Sequence, residues 1–327
     1  MKKILTVLLA TLMVVSLFAF AGCGNDAKAS LKLGLGVSIS ASATDAASEN
    51  GTDQLTVTAA AVLVDDAGKI VKAFIDCADS TVGHTADGKA VVTESFQTKY
   101  EKGVNYNMVA YGGATKEWFE QADAFCALIV GKTADEVKAL VAENAKGTDE
   151  VLNAGCTIYV SDFAIAVEKA IENAVASNAT ANDTLKLGVS TSQTATDATE
   201  ETAGSNKIAT NVFAAAVNAD GKIVAASSDC VEVTFEFDTA GKSAFDASAE
   251  ILSKKEKGDN YGMKAWGGSA KEWYEQAAAF DAACLGKTAS EITGLMGADY
   301  KGNADLQAAG CTIYVSDFVK AAAKVGK

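Results

Sequence analysis

An internal repeat constrains this chain more than any other feature. Short segments return in the same order about 155 residues later, a period too long for a solenoid and right for whole domains. Leu31-Lys32-Leu33-Gly34 returns as Leu185-Lys186-Leu187-Gly188, and Gly68-Lys69-Ile70-Val71 as Gly221-Lys222-Ile223-Val224. Asp76-Cys77 answers Asp229-Cys230, and Lys116-Glu117-Trp118 answers Lys271-Glu272-Trp273. Gly131-Lys132-Thr133-Ala134 recurs as Gly286-Lys287-Thr288-Ala289, and Ala154 to Phe163 is repeated without change from Ala309 to Phe318.

Within each copy the first part reads as strands and the second as helices. Val231 to Phe237 alternates apolar and polar residues, as a half-buried antiparallel strand does. Gln54 to Val64 and Ile70 to Ile75 flank Asp65-Asp66-Ala67-Gly68, a hairpin with a glycine in its turn. Trp118, Ala122, Phe125, Cys126 and Ile129 share one helical face, and Gly131 is placed to end that helix. Thr133 and Glu136 have the spacing of a capping box, as do Thr288 and Glu291. A further helix follows Ser161-Asp162, carrying Phe163, Ile165, Ala166, Ala170 and Ile171, and its partner runs from Phe318 to Val325. Asn173 to Asp183, rich in Ala, Asn and Thr, reads as a connection. The fold class expected is α+β: two tandem homologous domains, 31–176 and 185–327, each an antiparallel sheet with helices packed on one side, joined by a linker over 177–184.

Ahead of the repeats, Met1-Lys2-Lys3 precedes an apolar run from Ile4 to Ala21, the pattern of an export signal. Phe20-Ala21-Gly22-Cys23 resembles the lipobox of bacterial lipoproteins, with Phe20 where leucine is usual. The resemblance implies cleavage after residue 22, a diacylglycerol on the Cys23 thiol, a tether over 23–30, and anchoring on the extracytoplasmic face of the cell membrane. Several acyl chains make such an anchor stable, each buried methylene contributing about 0.8 kcal/mol.

The net charge is −14, and Lys2 and Lys3 lie in the leader, so the remainder is more acidic still. Such a surface repels nucleic acid, which is not expected as a partner. Proline is absent, leaving turns to Gly, Asn and Asp. The seven cysteines form no CxxC or Cys/His cluster, so no metal site is expected, and buried thiols are preferred over the disulfides that an extracellular setting permits. The one histidine, His84, has no counterpart in the second copy and reads as a loop residue rather than a catalyst.

Two segments concentrate candidate chemistry. Gly112 and Gly113 lead into a helix, as do Gly267 and Gly268, and paired glycines there can offer backbone N–H groups to a phosphate. Trp118 and Trp273 read as core anchors. The second segment, Gly155-Cys156-Thr157 with Ser161 opening a helix, resembles the flavinylation segment of the FMN-binding domain family, as does Gly310-Cys311-Thr312. Ala154 stands where that family has serine and Cys156 where it has alanine. The resemblance implies FMN held by Thr157 and Thr312, with Gly155 and Gly310 beside them. Read without it, Thr157 to Val160 is a buried edge strand and Ser161 caps the next helix.

Catalytic residues are not expected. A nucleophilic triad needs a base in reach, and the single histidine is not duplicated. Glu117 and Glu120, repeated as Glu272 and Glu275, could serve acid–base work, but an exposed acidic face is the commoner outcome. Two functions stay open. The first, preferred, is a non-enzymatic surface module binding an unidentified small molecule, peptide or neighbouring protein. The second is an FMN-carrying electron-transfer lipoprotein working with a surface redox partner.

Overall fold

The structure, a computed structural model, describes residues 30–326. The expected signal peptide, Cys23 and the tether up to residue 29 lie outside the described residues. Among the described residues no helix is long and apolar enough to cross a membrane.

The chain is α+β with antiparallel sheets. In the first half, β1 (Leu31–Ala43), β2 (Gly51–Val64) and β3 (Ile70–His84) form a meander, extended by the short β4 (Ala90–Val91). Helices follow: α1 (Lys99–Lys102), α2 (Trp118–Leu128), α3 (Ala134–Lys138), α4 (Asp149–Ala154) and α5 (Ser161–Glu172). The second half repeats this order with β6 (Thr184–Thr196), β7 (Gly204–Val217), β8 (Ile223–Phe237), α6 (Lys254–Lys257), α7 (Trp273–Cys284), α8 (Ala304–Ala308) and α9 (Ser316–Lys324). Where α3 stands in the first half, the second has a 3₁₀ turn over Glu291–Leu295.

The hairpin turns form for the expected reason. Asp65 Oδ1 accepts from the N–H groups of Ala67 and Lys69, Asn218 Oδ1 from those of Asp220 and Lys222, and Gly68 and Gly221 both supply φ 74°. Thr133 and Glu136 close the expected capping box at α3.

The segment expected as a linker contains a strand. β5 (Val175–Ala179) pairs antiparallel with the outer edge of β1, so the first sheet runs β4-β3-β2-β1-β5 while the second runs β6-β7-β8. The small polar residues of β5 carry no alternation to reveal it. What orders them is the open edge of β1, where Ser177 Oγ donates to the Leu31 carbonyl at 2.6 Å.

Each sheet buries both faces. One face lies under its own helices: Ala60, Val62 and Val64 meet Trp118, Phe125 and Phe163, and Phe213 and Ala215 meet Trp273, Phe280 and Phe318. The other faces meet each other: Leu33, Leu35, Leu55, Val57 and Leu63 share a core with Leu187, Val189, Ile208, Val231 and Phe235. The layers are therefore helices, sheet, sheet, helices, and the repeats are not separate beads. Gly34 and Gly188 allow the helix contact, since a Cβ on either would collide with the backbone carbonyl of Ala170 or Ala321.

His84 is not in a loop. It ends β3, fully buried between the sheets, its ring stacked on Phe237 at 4.5 Å. Its Nδ1 lies 3.1 Å from Asp53 Oδ2 and its Nε2 3.1 Å from the Gly241 carbonyl, while Asn206 Nδ2 donates to Asp53 Oδ2 at 2.8 Å. The histidine ties the two sheets together at a place the second repeat has no need to copy.

Candidate functional site

A cleft of about 630 Å³ opens in the second half between the start of α9, the loop before α7 and the solvent end of the sheet. Of the expected residues, it brings Thr312 and Gly267 to one wall. Its floor is Cys230 and Trp273, the indole only 3% exposed and packed against Phe318 with ring centroids 5.6 Å apart. Trp273 and Trp118 are core anchors, as expected.

The cleft is also lined by a lysine that sequence reasoning missed. Lys254 Nζ lies 5.1 Å from the Tyr261 ring and 5.9 Å from the Trp273 ring, and donates to Glu232 Oε2 at 3.1 Å. Burial opposes its charge, but neighbouring Cys230, Glu232 and Tyr261 outweigh that and its proton affinity is raised. Lys207 reaches the same Glu232 at 3.8 Å. Across the cleft Ser192 Oγ donates to Asp317 Oδ2 at 2.9 Å, and Lys301 lies 5.4 Å from the ring of Tyr314, a rim residue 66% exposed. Burial pushes the Cys230 thiol up to about 12, so it is an inert part of the floor.

The first half builds the same arrangement. Lys99 Nζ lies 5.4 Å from the Tyr106 ring, 5.9 Å from the Trp118 ring and 3.7 Å from Asp79 Oδ2. Ser38 Oγ donates to Asp162 Oδ1 at 2.8 Å, and Lys146 stands 5.5 Å from the exposed Tyr159. The recurrence of Lys99, Tyr106 and Tyr159 at Lys254, Tyr261 and Tyr314 is the signal that could have found the site.

Thr157 and Thr312 are fixed identically. The backbone N–H and Oγ1 of each donate to the amide oxygen of a helix glutamine, Gln121 or Gln276, at 2.8 and 3.0 Å. Both threonines are exposed. Gly155 and Gly310 take φ 91° and 97°, and Lys116 and Lys271 lie where their Cβ atoms would be. The segment is not an edge strand, for only Tyr159 and Tyr314 make isolated bridges, to Lys146 and Lys301. Ser161 does not cap α5, whose N-cap position is Val160.

The paired glycines serve their loop. Gly113 and Gly268 have φ 68° and 64°, and a Cβ on Gly112 or Gly267 would press on the carbonyl of Met108 or Met263. The helix they precede is already closed by an acid. Glu117 accepts from the N–H groups of Met108 and Val109 at 2.9 and 3.2 Å, and Glu272 from those of Met263 and Lys264 at 2.8 and 3.0 Å. Each also forms a capping box with Glu120 or Glu275. Glu117 and Glu272 are therefore buried caps, not an exposed acidic face, and a carboxylate there repels a phosphate.

The six described cysteines are all free and buried. Among the described residues no group of His, Cys, Asp and Glu is assembled for a metal ion. No family model, curated protein or solved structure matches the chain.

Proposed function

We propose that this chain is an extracytoplasmic, lipid-anchored surface lipoprotein whose duplicated domains form a non-enzymatic binding module. Its two ligand positions are the Lys254 cleft and the matching place around Lys99. The observation that carries this reading is the double occurrence of one composite environment: a lysine held between a tyrosine, a tryptophan and a carboxylate. Such a mixture of apolar walls and a few fixed polar groups is what small-molecule sites use. The anchor is supported by the leader and Cys23 in the sequence. Two sites on one anchored chain raise avidity through effective concentration. The test is a thermal-shift screen of small molecules on the intact protein. A ligand that occupies the cleft stabilises the protein, and Lys254→Met with Lys99→Met abolishes its effect; stabilisation unchanged in that double variant contradicts the reading.

The position of Thr312 favours a second reading, an FMN-carrying electron-transfer protein. Its hydroxyl stands on the cleft wall with Lys301 lining the same cleft and Lys271 against the adjoining Gly310, so the donor set suits a phosphate, and the space suits a flavin. Thr312 and Thr157 would hold the group, and the glycine pairs would not, since Glu117 and Glu272 close that helix end. FMN would supply reversible redox chemistry while the protein sets its surroundings. Flavin absorbance and an FMN mass on Thr157 or Thr312 in native protein support this reading, and their absence contradicts it.

A further inference from the structure

The cleft-facing residues of the two central strands have diverged. On β7, Lys207, Ala209 and Asn211 line the Lys254 cleft, where β2 carries Gln54, Thr56 and Thr58. The register matches: Asn211 stands opposite Cys230 and Ala209 opposite Glu232, as Thr58 stands opposite Cys77 and Thr56 opposite Asp79. In the first half these side chains satisfy one another. Gln54 Nε2 and Thr56 Oγ1 both donate to Asp79 Oδ1, at 2.5 and 3.1 Å, and Thr58 hydrogen-bonds the Cys77 thiol. The second half leaves one group over. Asn211 is only 4% exposed, it lines the cleft, and its side-chain amide makes no hydrogen bond to another described residue. Ala209, in place of Thr56, leaves room beside it.

A buried amide left without a partner is costly, and a bound molecule that pairs with it recovers the loss. Asparagine offers a donor beside an acceptor in one plane, so its complement is the edge of a carboxamide, lactam or imide. The Ala209 row is flat, and the Tyr261 and Trp273 rings stand by it, which suits a planar ring. Farther out on the same strand face is Lys207, about 13 Å from Asn211 at the rise of an extended strand. Lys301 lies over the Tyr314 ring and pairs with no carboxylate among the described residues. Glu232, between the rows, is already met by Lys254 and Lys207. The cleft is thus neutral and polar where it is deepest and cationic at its mouth. We propose that it takes a planar cyclic amide or imide joined to an anionic group. Asn211 reads the amide edge, and Lys207 and Lys301 face the anion. The inference rests on the reading of this cleft as a ligand site; the place around Lys99, with Thr58 there, lacks that reader.

The test titrates the full chain with uridine 5′-monophosphate, a probe that carries an imide edge and a phosphate. Nuclear magnetic resonance follows the Asn211 side-chain amide, and calorimetry gives the affinity. Saturable binding should shift that amide resonance. Methylation of the probe's imide nitrogen removes its donor and should weaken binding about tenfold. Asn211→Thr, which installs the first half's residue, should cause a similar loss without lowering the unfolding temperature, and should bind the methylated and unmethylated probes alike. Lys301→Met should weaken the phosphate-bearing probe and leave uridine unaffected. Absence of saturable binding at millimolar probe, equal affinity of the parent protein for the methylated probe, or parent affinity in Asn211→Thr overturns the proposal. A different ligand that stabilises the protein through Lys254 and is indifferent to Asn211→Thr also overturns it, while leaving the cleft a ligand site.

Discussion

Lys324 Nζ lies 2.7 Å from Glu101 Oε1, a contact from the last turn of the second half to the first helix of the first. Its mirror is Lys169 with Glu256, the residues at the matching positions. Reciprocal contacts of this kind are the mark of an isologous, dimer-like interface, here within one chain. Partly solvated ion pairs of this kind contribute little each, so the hold between the halves comes mainly from the core the two sheets share.

That shared core predicts cooperative unfolding. Phe235 is fully buried in it, and Phe235→Ala should cost about 3–5 kcal/mol. The loss should lower a single transition for the whole chain. Calorimetry showing two transitions, with only one shifted, contradicts a common core.

Close packing of helix on sheet predicts a contrast between two glycines. Gly188→Ala drives a methyl group into the Ala321 carbonyl and should destabilise by at least about 2 kcal/mol. Gly221→Ala meets open space and suffers only its positive φ, a cost of about 1 kcal/mol. Urea unfolding of both variants checks the order, and equal losses contradict it.

The buried cluster around His84 predicts a large effect from a polar residue buried between the sheets. Asn206 donates to Asp53 and to the Gly83 carbonyl across the sheets. Asn206→Ala leaves Asp53 with fewer donors in a site closed to water and should cost about 3 kcal/mol. A loss below about 1 kcal/mol by chemical denaturation would mean the cluster does not tie the halves.

Asp76 and Asp229 predict the sign of one pH effect. Burial raises both to about 6, against hydrogen bonds from Cys77 and Tyr100 backbone on one and Ser253, Cys230 and Lys255 on the other. Between pH 4 and 6 the folded state therefore holds protons that the unfolded chain has released. Their contribution is fully present below the unfolded value and is lost as pH rises, on the order of 3 kcal/mol per residue. Asp229→Asn should gain stability relative to the parent as pH rises from 4 to 7, read from urea midpoints. A gap that does not widen contradicts the assignment.

The strands and helices carrying a clear period were legible in the chain. β8 alternates, α2 and α5 show their apolar faces, and the two hairpin turns announce themselves through Asp65, Asn218 and the glycines that follow. Within α5, Ile165 faces out, and Val167 takes its place in the core. The sheet-on-sheet core had a sign in the unbroken apolar run Ala59 to Val64, which fits a strand buried on both faces. β5 had none, because its place is set by the edge it covers. Of the residues lining the cleft, Thr312 and Gly267 were singled out from local motifs, whereas the lysine cage depends on residues that only the fold brings together. Glu117 and Glu272 misled because a carboxylate at helix spacing gives no hint that backbone amides from a preceding loop will bury it.

The most direct test of the account is the mass of the mature protein purified from its own organism. The account predicts a chain beginning at Cys23, with a diacylglycerol on its thiol and the first 22 residues gone. A soluble chain still beginning at Met1, with an unmodified Cys23, would contradict it.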